Sequence, residues 1–210
     1  MLHGRGGPDN NLGTTFESIK SITKPSQLAG KSIGAISTNS GNTLVIDAYL
    51  AERGVNYRSV HFVATGVTDT LAALRSGSVQ AAELVAPSSL ELLNDGGHRL
   101  QGDIQSAVGT PVFACWTALH SWIAGHGAVA KRFIHALDQA DAYYDAHPAA
   151  SAQMIAKVNG LPASASMANV AFTFATALTG ARVERWITLG HKYGLLTANL
   201  PLGKVFEPIR

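Results

Sequence analysis

The strongest candidate for chemistry is the run GAISTNSGNT, Gly34 to Thr43. Ser37, Thr38, Asn39, Ser40, Asn42 and Thr43 bring hydroxyl and amide groups, and Gly41 lets backbone approach a ligand. The run follows a β-prone segment and precedes a helical one, so it is expected where a strand ends and a helix begins. The first turn of a helix presents unpaired N–H groups and the positive end of its dipole there. A small anion or polar head group suits such a place. The competing reading is a helix cap made by Ser40 or Asn42, with the rest a solvated turn. The run lacks the G-x-x-x-x-G-K-[ST] pattern, so nucleotide hydrolysis is not expected.

A second candidate set follows the next two β-prone segments. Thr65 and Gly66 come after HFVA, and Glu83 through Pro87 come after VQAA. In an open α/β sheet these positions share one edge with the Ser/Thr run. Glu83 could receive a cationic or hydroxyl group; the competing reading is a solvated Glu at a strand edge. Cys115 could act as a nucleophile with His120 or His126 as its base, but its neighbours Phe113, Ala114 and Trp116 favour a core cysteine. The eight histidines show no HExxH and no helical i, i+4 pair among His120, His126 and His135. No metal and no cofactor are expected. Trp116, Trp122, Tyr143, Tyr144 and Trp186 could line an apolar pocket, with packing the better expectation.

The elements that must position these residues follow from local signals. KSIGAI (Lys31 to Ile36), SVHFVA (Ser59 to Ala64) and VQAAELVA read as strands. TLVIDAYLAERG, VTDTLAALRSG and PSSLELLNDGG read as the helices after them, with Gly54, Gly77 and Gly96-Gly97 as stops and Pro87 in the first turn of the third. Residues 31–97 thus alternate strand and helix, which predicts a parallel sheet covered by helices. Beyond them, Val112 to Leu119 reads as a strand, Ala128 to Asp145 as a long amphipathic helix, and HPAASAQMIAKVNG, LPASASMANVAFTFATALTG and ARVERWITLGHKYGLL as further helical segments, the second ambiguous for its Thr and Phe. The tail TANLPLGKVFEPIR reads as loop.

Hydrophobic residues make up 46% of the 210 and charged residues 14%, which excludes a disordered chain and fits a buried-sheet α/β protein. The net charge is +2, with no Lys/Arg-rich run, so no nucleic-acid surface is expected. One cysteine excludes an internal disulfide. The apolar stretches are too short and too broken by polar residues for a membrane span. The polar, Gly-rich start has no apolar core and is no secretory signal as it stands; a cytoplasmic chain, a mature one, or a piece of something longer is expected.

Several segments together resemble the type II periplasmic solute-binding proteins of ABC importers for nitrate, sulfonate and taurine, including the thiamine-precursor-related branch. LAGKSIGAISTNSGNT is similar to the family's L-x-G-K-x-I-G strand and ligand-contacting loop. DTLAALRSGSVQAAELVAP resembles its ALxxGxVDAxxxxxP segment, AVAKRFIHALDQADAYYDAHPAASAQMIAKVNG its helix pair, and HKYGLL its late Gly-Leu element. Gln80-Ala81 stands where the family has Asp, and His147-Pro148 where it has Asn-Pro. The family's opening part of the first lobe has no counterpart.

The resemblance implies a periplasmic-binding-protein-like α/β fold. It would have an N-terminal arm and crossover (1–30), a complete parallel-sheet ligand-binding lobe (31–107) and a mostly helical, returning part of the other lobe (108–210). It implies a substrate-binding component for a small anionic solute, working with a membrane permease, periplasmic or lipid-anchored outside the cytoplasmic membrane. Self-association would cover the half lobe. The alternative is an enzyme of this fold, a desulfinase or pyrimidine-precursor type, using Cys115 and a nearby His. A LysR-type effector domain is a third class, but residues 1–30 do not resemble its helix-turn-helix.

Overall fold

The computed structural model describes residues 2–4, 15–85, 88–101, 107–108, 116–158, 172–174 and 180–205. Its main feature is a five-stranded sheet built from β2 (Thr15–Ser18), β3 (Ser32–Ala35), β4 (His61–Ala64), β5 (Ala81–Leu84) and β6 (His98–Gln101), in the order β4-β3-β5-β2-β6. A separate antiparallel pair joins β1 (Leu2–Gly4) to β7 (Phe172–Phe174).

The three strands expected from residues 31–97 are present and parallel: Ile33 pairs with Phe62 on one side and with Ala81 on the other. The sheet as a whole is mixed, because β2 runs antiparallel to both β5 and β6. β2 comes from the stretch read as an arm, and β6 had no counterpart in that reading. Every residue of β2 is buried, so this four-residue strand is held by neighbours on both edges and both faces.

Helices cover the sheet on two sides. On one lies α1 (Gly41–Glu52), with Thr43–Ile46 and Ala48–Leu50 buried. Its side chains join Phe16, Ile33 and Ala81 in the larger core cluster. Tyr49 meets Phe16 edge to face at 5.4 Å, and its hydroxyl donates to the Leu100 carbonyl at 2.9 Å, tying the helix to β6. A buried side chain of this size contributes about 1.5–3 kcal/mol. On the opposite face α2 (Thr70–Arg75) and α3 (Ser88–Asn94) bury Leu71, Leu74 and Leu92 against Val79, Ala82 and Leu84. A Cβ on Gly34 would stand 3.1 Å from the Ala82 Cβ and 3.3 Å from the Thr65 hydroxyl, so β3 needs glycine there for that face to close.

The remaining described residues are mostly helical: α4 (His120–Ala146), α5 (Pro148–Val158), α6 (Gly180–Lys192) and the short α7 (Leu202–Val205), a turn of helix in the tail read as loop. α4 starts earlier than expected, and Trp116 to Leu119, the described end of the strand expected there, is not in regular structure. The cause is legible in the backbone. His126, between Gly125 and Gly127, departs from helical geometry (φ −130°, ψ 26°), and the flanking glycines look like a loop. Its ring stacks on Trp122 at 4.8 Å with Nδ1 2.9 Å from the Trp122 carbonyl. A carbonyl only accepts, so Nδ1 carries the proton. His147 ends the helix the same way, stacked on Tyr143 at 4.3 Å. Ala130 is the one buried residue of α4, whereas Trp122, Val129, Phe133 and Tyr143 are exposed, as are Met154 and Val158 of α5. No described helix is long and apolar enough to cross a membrane.

Candidate functional site

Because β3, β4 and β5 are parallel, their C-terminal ends share one edge of the sheet, and each is followed by a turn into a helix. The first turn is Ile36 to Ser40. Asn39 takes a left-handed conformation there (φ 56°), which a short amide side chain tolerates. Ser40 is the N-cap. The Thr43 hydroxyl accepts from the Ser40 N–H at 3.1 Å and donates to the Ser40 carbonyl at 3.0 Å, while the Ser40 hydroxyl donates to the Ser37 carbonyl at 3.0 Å. The capping alternative therefore accounts for Ser40 and Thr43. Ser37, Thr38 and Asn39 are exposed. Gly41, in the first turn of α1, lies against the Trp186 indole: a Cβ there would stand 3.6 Å from Cη2 and Cζ3. Trp186 of α6 thus lies beside the turn, and it also packs against the larger core cluster, in line with the packing expected from sequence.

The second turn carries Thr65 and Gly66. The Thr65 N–H donates to the Ala35 carbonyl at 2.9 Å, continuing the ladder past the strand end, and its hydroxyl lies 2.7 Å from that of Thr70. The Thr70 hydroxyl in turn donates to the Gly66 carbonyl. Gly66 has φ 68°, which turns the chain toward α2.

The third strand end carries Glu83, which is not a solvated strand-edge residue. It is 4% exposed, and the Asn42 amide donates to its Oε2 at 2.5 Å. Register explains its placement: Glu83 stands opposite Phe16, so both side chains point to the α1 face, where Asn42 waits. Burial pushes the Glu83 carboxyl up to about 7, and the Asn42 hydrogen bond opposes this only in part. Asp47, one turn and a half along α1, is also raised by burial to about 7, and its Oδ1 is buried without a hydrogen-bond partner among the described residues.

A shallow concavity, with enclosed room for little more than a water molecule and otherwise open to solvent, lies at this edge. It is lined by Ile36 after β3, Val67 and Thr70 after β4, and Glu83, Leu84, Val85 and Ser88 around the end of β5. Of the residues singled out from sequence, Glu83 lines it directly. Asn42 reaches it through Glu83, and Thr65 and Gly66 through Thr70. Ser37 to Gly41 and Thr43 flank it without lining it. Pro87 and Cys115 lie outside the described residues. Ile36 falls within the run Gly34 to Thr43, and Leu84 and Val85 within Glu83 through Pro87, whereas Val67, Thr70 and Ser88 were not singled out; the signal available for them was position alone, just past a strand end. Among the described residues no group of three or more His, Cys, Asp or Glu side chains converges as metal ligands would.

The family described as NMT1/THI5 like matches residues 8–151. No curated protein matches the chain. Among solved structures it is similar to the alkanesulfonate-binding protein SsuA from Xanthomonas axonopodis pv. citri bound to MOPS (TM-score 0.72, 19% identity, 97% of this chain and 72% of that one). It is also similar to a ligand-binding component of an ABC-type import system from Staphylococcus aureus (TM-score 0.78, 13% identity, 99% and 69%). A third is the periplasmic nitrate-binding protein NrtA from Synechocystis PCC 6803 (TM-score 0.71, 11% identity, 92% and 60%). Likeness at these identities is likeness of fold, and the fold is that of the type II periplasmic binding proteins.

Proposed function

The chain belongs to the NMT1/THI5-like family, and from that membership we propose that it is the substrate-binding component of an ABC-type importer. Its solute is small and bears an anionic group, of the sulfonate, nitrate or taurine kind. It works outside the cytoplasmic membrane, delivering the solute to a membrane permease, and it binds without turnover. The ligand-binding residues in this reading are Ser37 to Thr43, Thr65, Gly66, Glu83 and Pro87. Residues 31–107 form the lobe that carries them, and residues 108–210 belong to the other. Self-association through the exposed apolar face of α4 and α5 is part of the same reading.

The observation that carries it is the convergence of three strand ends on one concavity with a buried carboxyl in its wall. Open α/β sheets bind ligands at the carboxyl ends of their strands, where helix N-termini and turn side chains meet. The bulk of the edge is held rigidly by the sheet, while the turns supply variable polar groups.

A thermal-shift panel of sulfonates, nitrate, taurine and pyrimidines tests the role. A ligand at a thousandfold its dissociation constant stabilises the fold by about 4 kcal/mol, a clear rise in melting temperature. A panel in which no compound raises the melting temperature counts against binding of this kind.

A further inference from the structure

We infer that the solute taken at this edge carries a cationic, hydrogen-bond-donating nitrogen, and that Glu83 is the side chain that reads it. The inference rests on the binding role proposed above and names the chemistry of its ligand.

Glu83 is almost wholly buried and yet lines the concavity. Among the described residues its side-chain hydrogen bond is the one from Asn42, a neutral amide held on Oε2. Of the described lining residues Glu83 alone is ionisable. The Thr70 hydroxyl is already committed to Gly66 and Thr65. The Ser88 hydroxyl is neutral, and the rest of the wall is apolar. Among the described residues of the wall no basic side chain is there to meet an anion, whereas a carboxyl is there to meet a cation.

The electrostatics point the same way. A carboxyl that burial has lifted to about 7 lacks a compensating charge. An ammonium or amidinium supplies that charge and a donor together, and such a charge-assisted bond is about twice as strong as a neutral one. A purely anionic solute would bring neither a compensating charge nor a donor to Glu83. A zwitterion fits better: its anionic end lies toward the polar turn before α1 and its nitrogen at Glu83, with Asn42 between the two.

The test is calorimetric titration with taurine, isethionate and ethanesulfonate, which share the sulfonate and differ in carrying an amine, a hydroxyl or neither. Taurine is expected to bind at least about tenfold more tightly than the other two. Glu83→Gln is expected to bring all three within about threefold of one another, because a neutral amide cannot answer a cation. Equal binding of the three by the native protein overturns the inference, as does a taurine preference that survives in Glu83→Gln. If the variant does not fold, the three-ligand comparison on the native protein decides. Binding of amine-free anions without binding of taurine sinks the inference but leaves the binding role intact; no binding by any compound of the panel removes both.

Discussion

Moving from about pH 5.5 to about pH 8 is expected to cost the fold about 2 kcal/mol through Glu83 alone. Its carboxyl sits near 7 in the folded protein against an ordinary 4.5. A group whose folded value is raised binds its proton more tightly when folded. The stabilisation is therefore complete below the unfolded value and is lost as pH rises through the folded one. The window is about 4.5 to 7 for Glu83. Asp47 acts in the same direction from 3.8 to about 7, and Glu17, also raised chiefly by burial, adds to the trend. The check is urea denaturation of the native protein and of a Glu83→Gln, Asp47→Asn double variant at both pH values. The variant should gain on the native protein at the higher pH and not at the lower, since the amides are neutral throughout. A gain of equal size at both pH values would show that the two carboxyls are not the source.

The second large effect is expected at Arg99. Glu17 is completely buried on the α2–α3 side of the sheet. Its Oε1 accepts from Arg99 Nε at 3.2 Å and from the Thr15 hydroxyl at 2.9 Å, while Oε2 has no partner among the described residues. Arg99 also reaches the Ser89 hydroxyl at 3.4 Å, so one guanidinium joins β2, β6 and α3. Removing one member of a buried pair leaves the other uncompensated and costs about 3–5 kcal/mol. The Arg99 side chain keeps 25% of its exposure, so the lower end, about 3 kcal/mol, applies to Arg99→Leu near pH 8. At lower pH Glu17 takes a proton and the loss shrinks. Replacing both residues, with Glu17→Leu added, removes the stranded charge and should restore most of the stability. A single variant within about 0.5 kcal/mol of the native protein, or a double variant no better than the single, would contradict this pairing.

These two clusters also mark where sequence reasoning stops. The alternation from Lys31 to Gly97 was legible because its turns carry glycine at the helix ends: Gly54, Gly77 and Gly96 all have φ near +70° to +90°. β2 was not. It has four residues, its partners are Ala81–Leu84 and His98–Gln101, and it contains a Glu whose ion-pair partner lies 82 positions away. Local propensity has no access to that pairing. The site was legible by place and only partly by residue. Strand ends could be counted, so the edge that carries the candidate concavity, and Glu83 at it, could be named in advance. That Glu83 would be buried follows from its register opposite Phe16, and register depends on β2. The cap hydrogen bonds of Ser40 and Thr43 were open in the sequence, because hydroxyls that cap a helix and hydroxyls that hold a solute have the same composition; geometry shows the capping. The break in α4 at His126 shows the same limit, since two glycines in a helix and two glycines in a loop read alike.

The central claim is that solute is held at the edge where β3, β4 and β5 end. Hydrogen exchange followed by mass spectrometry, with and without saturating taurine, tests it most directly. The account predicts slowed exchange in peptides covering Ile36 to Thr43, Thr65 to Thr70 and Glu83 to Ser88, with α4 and α5 unchanged. Protection confined to the opposite edge of the sheet, or to α4 and α5, would contradict it.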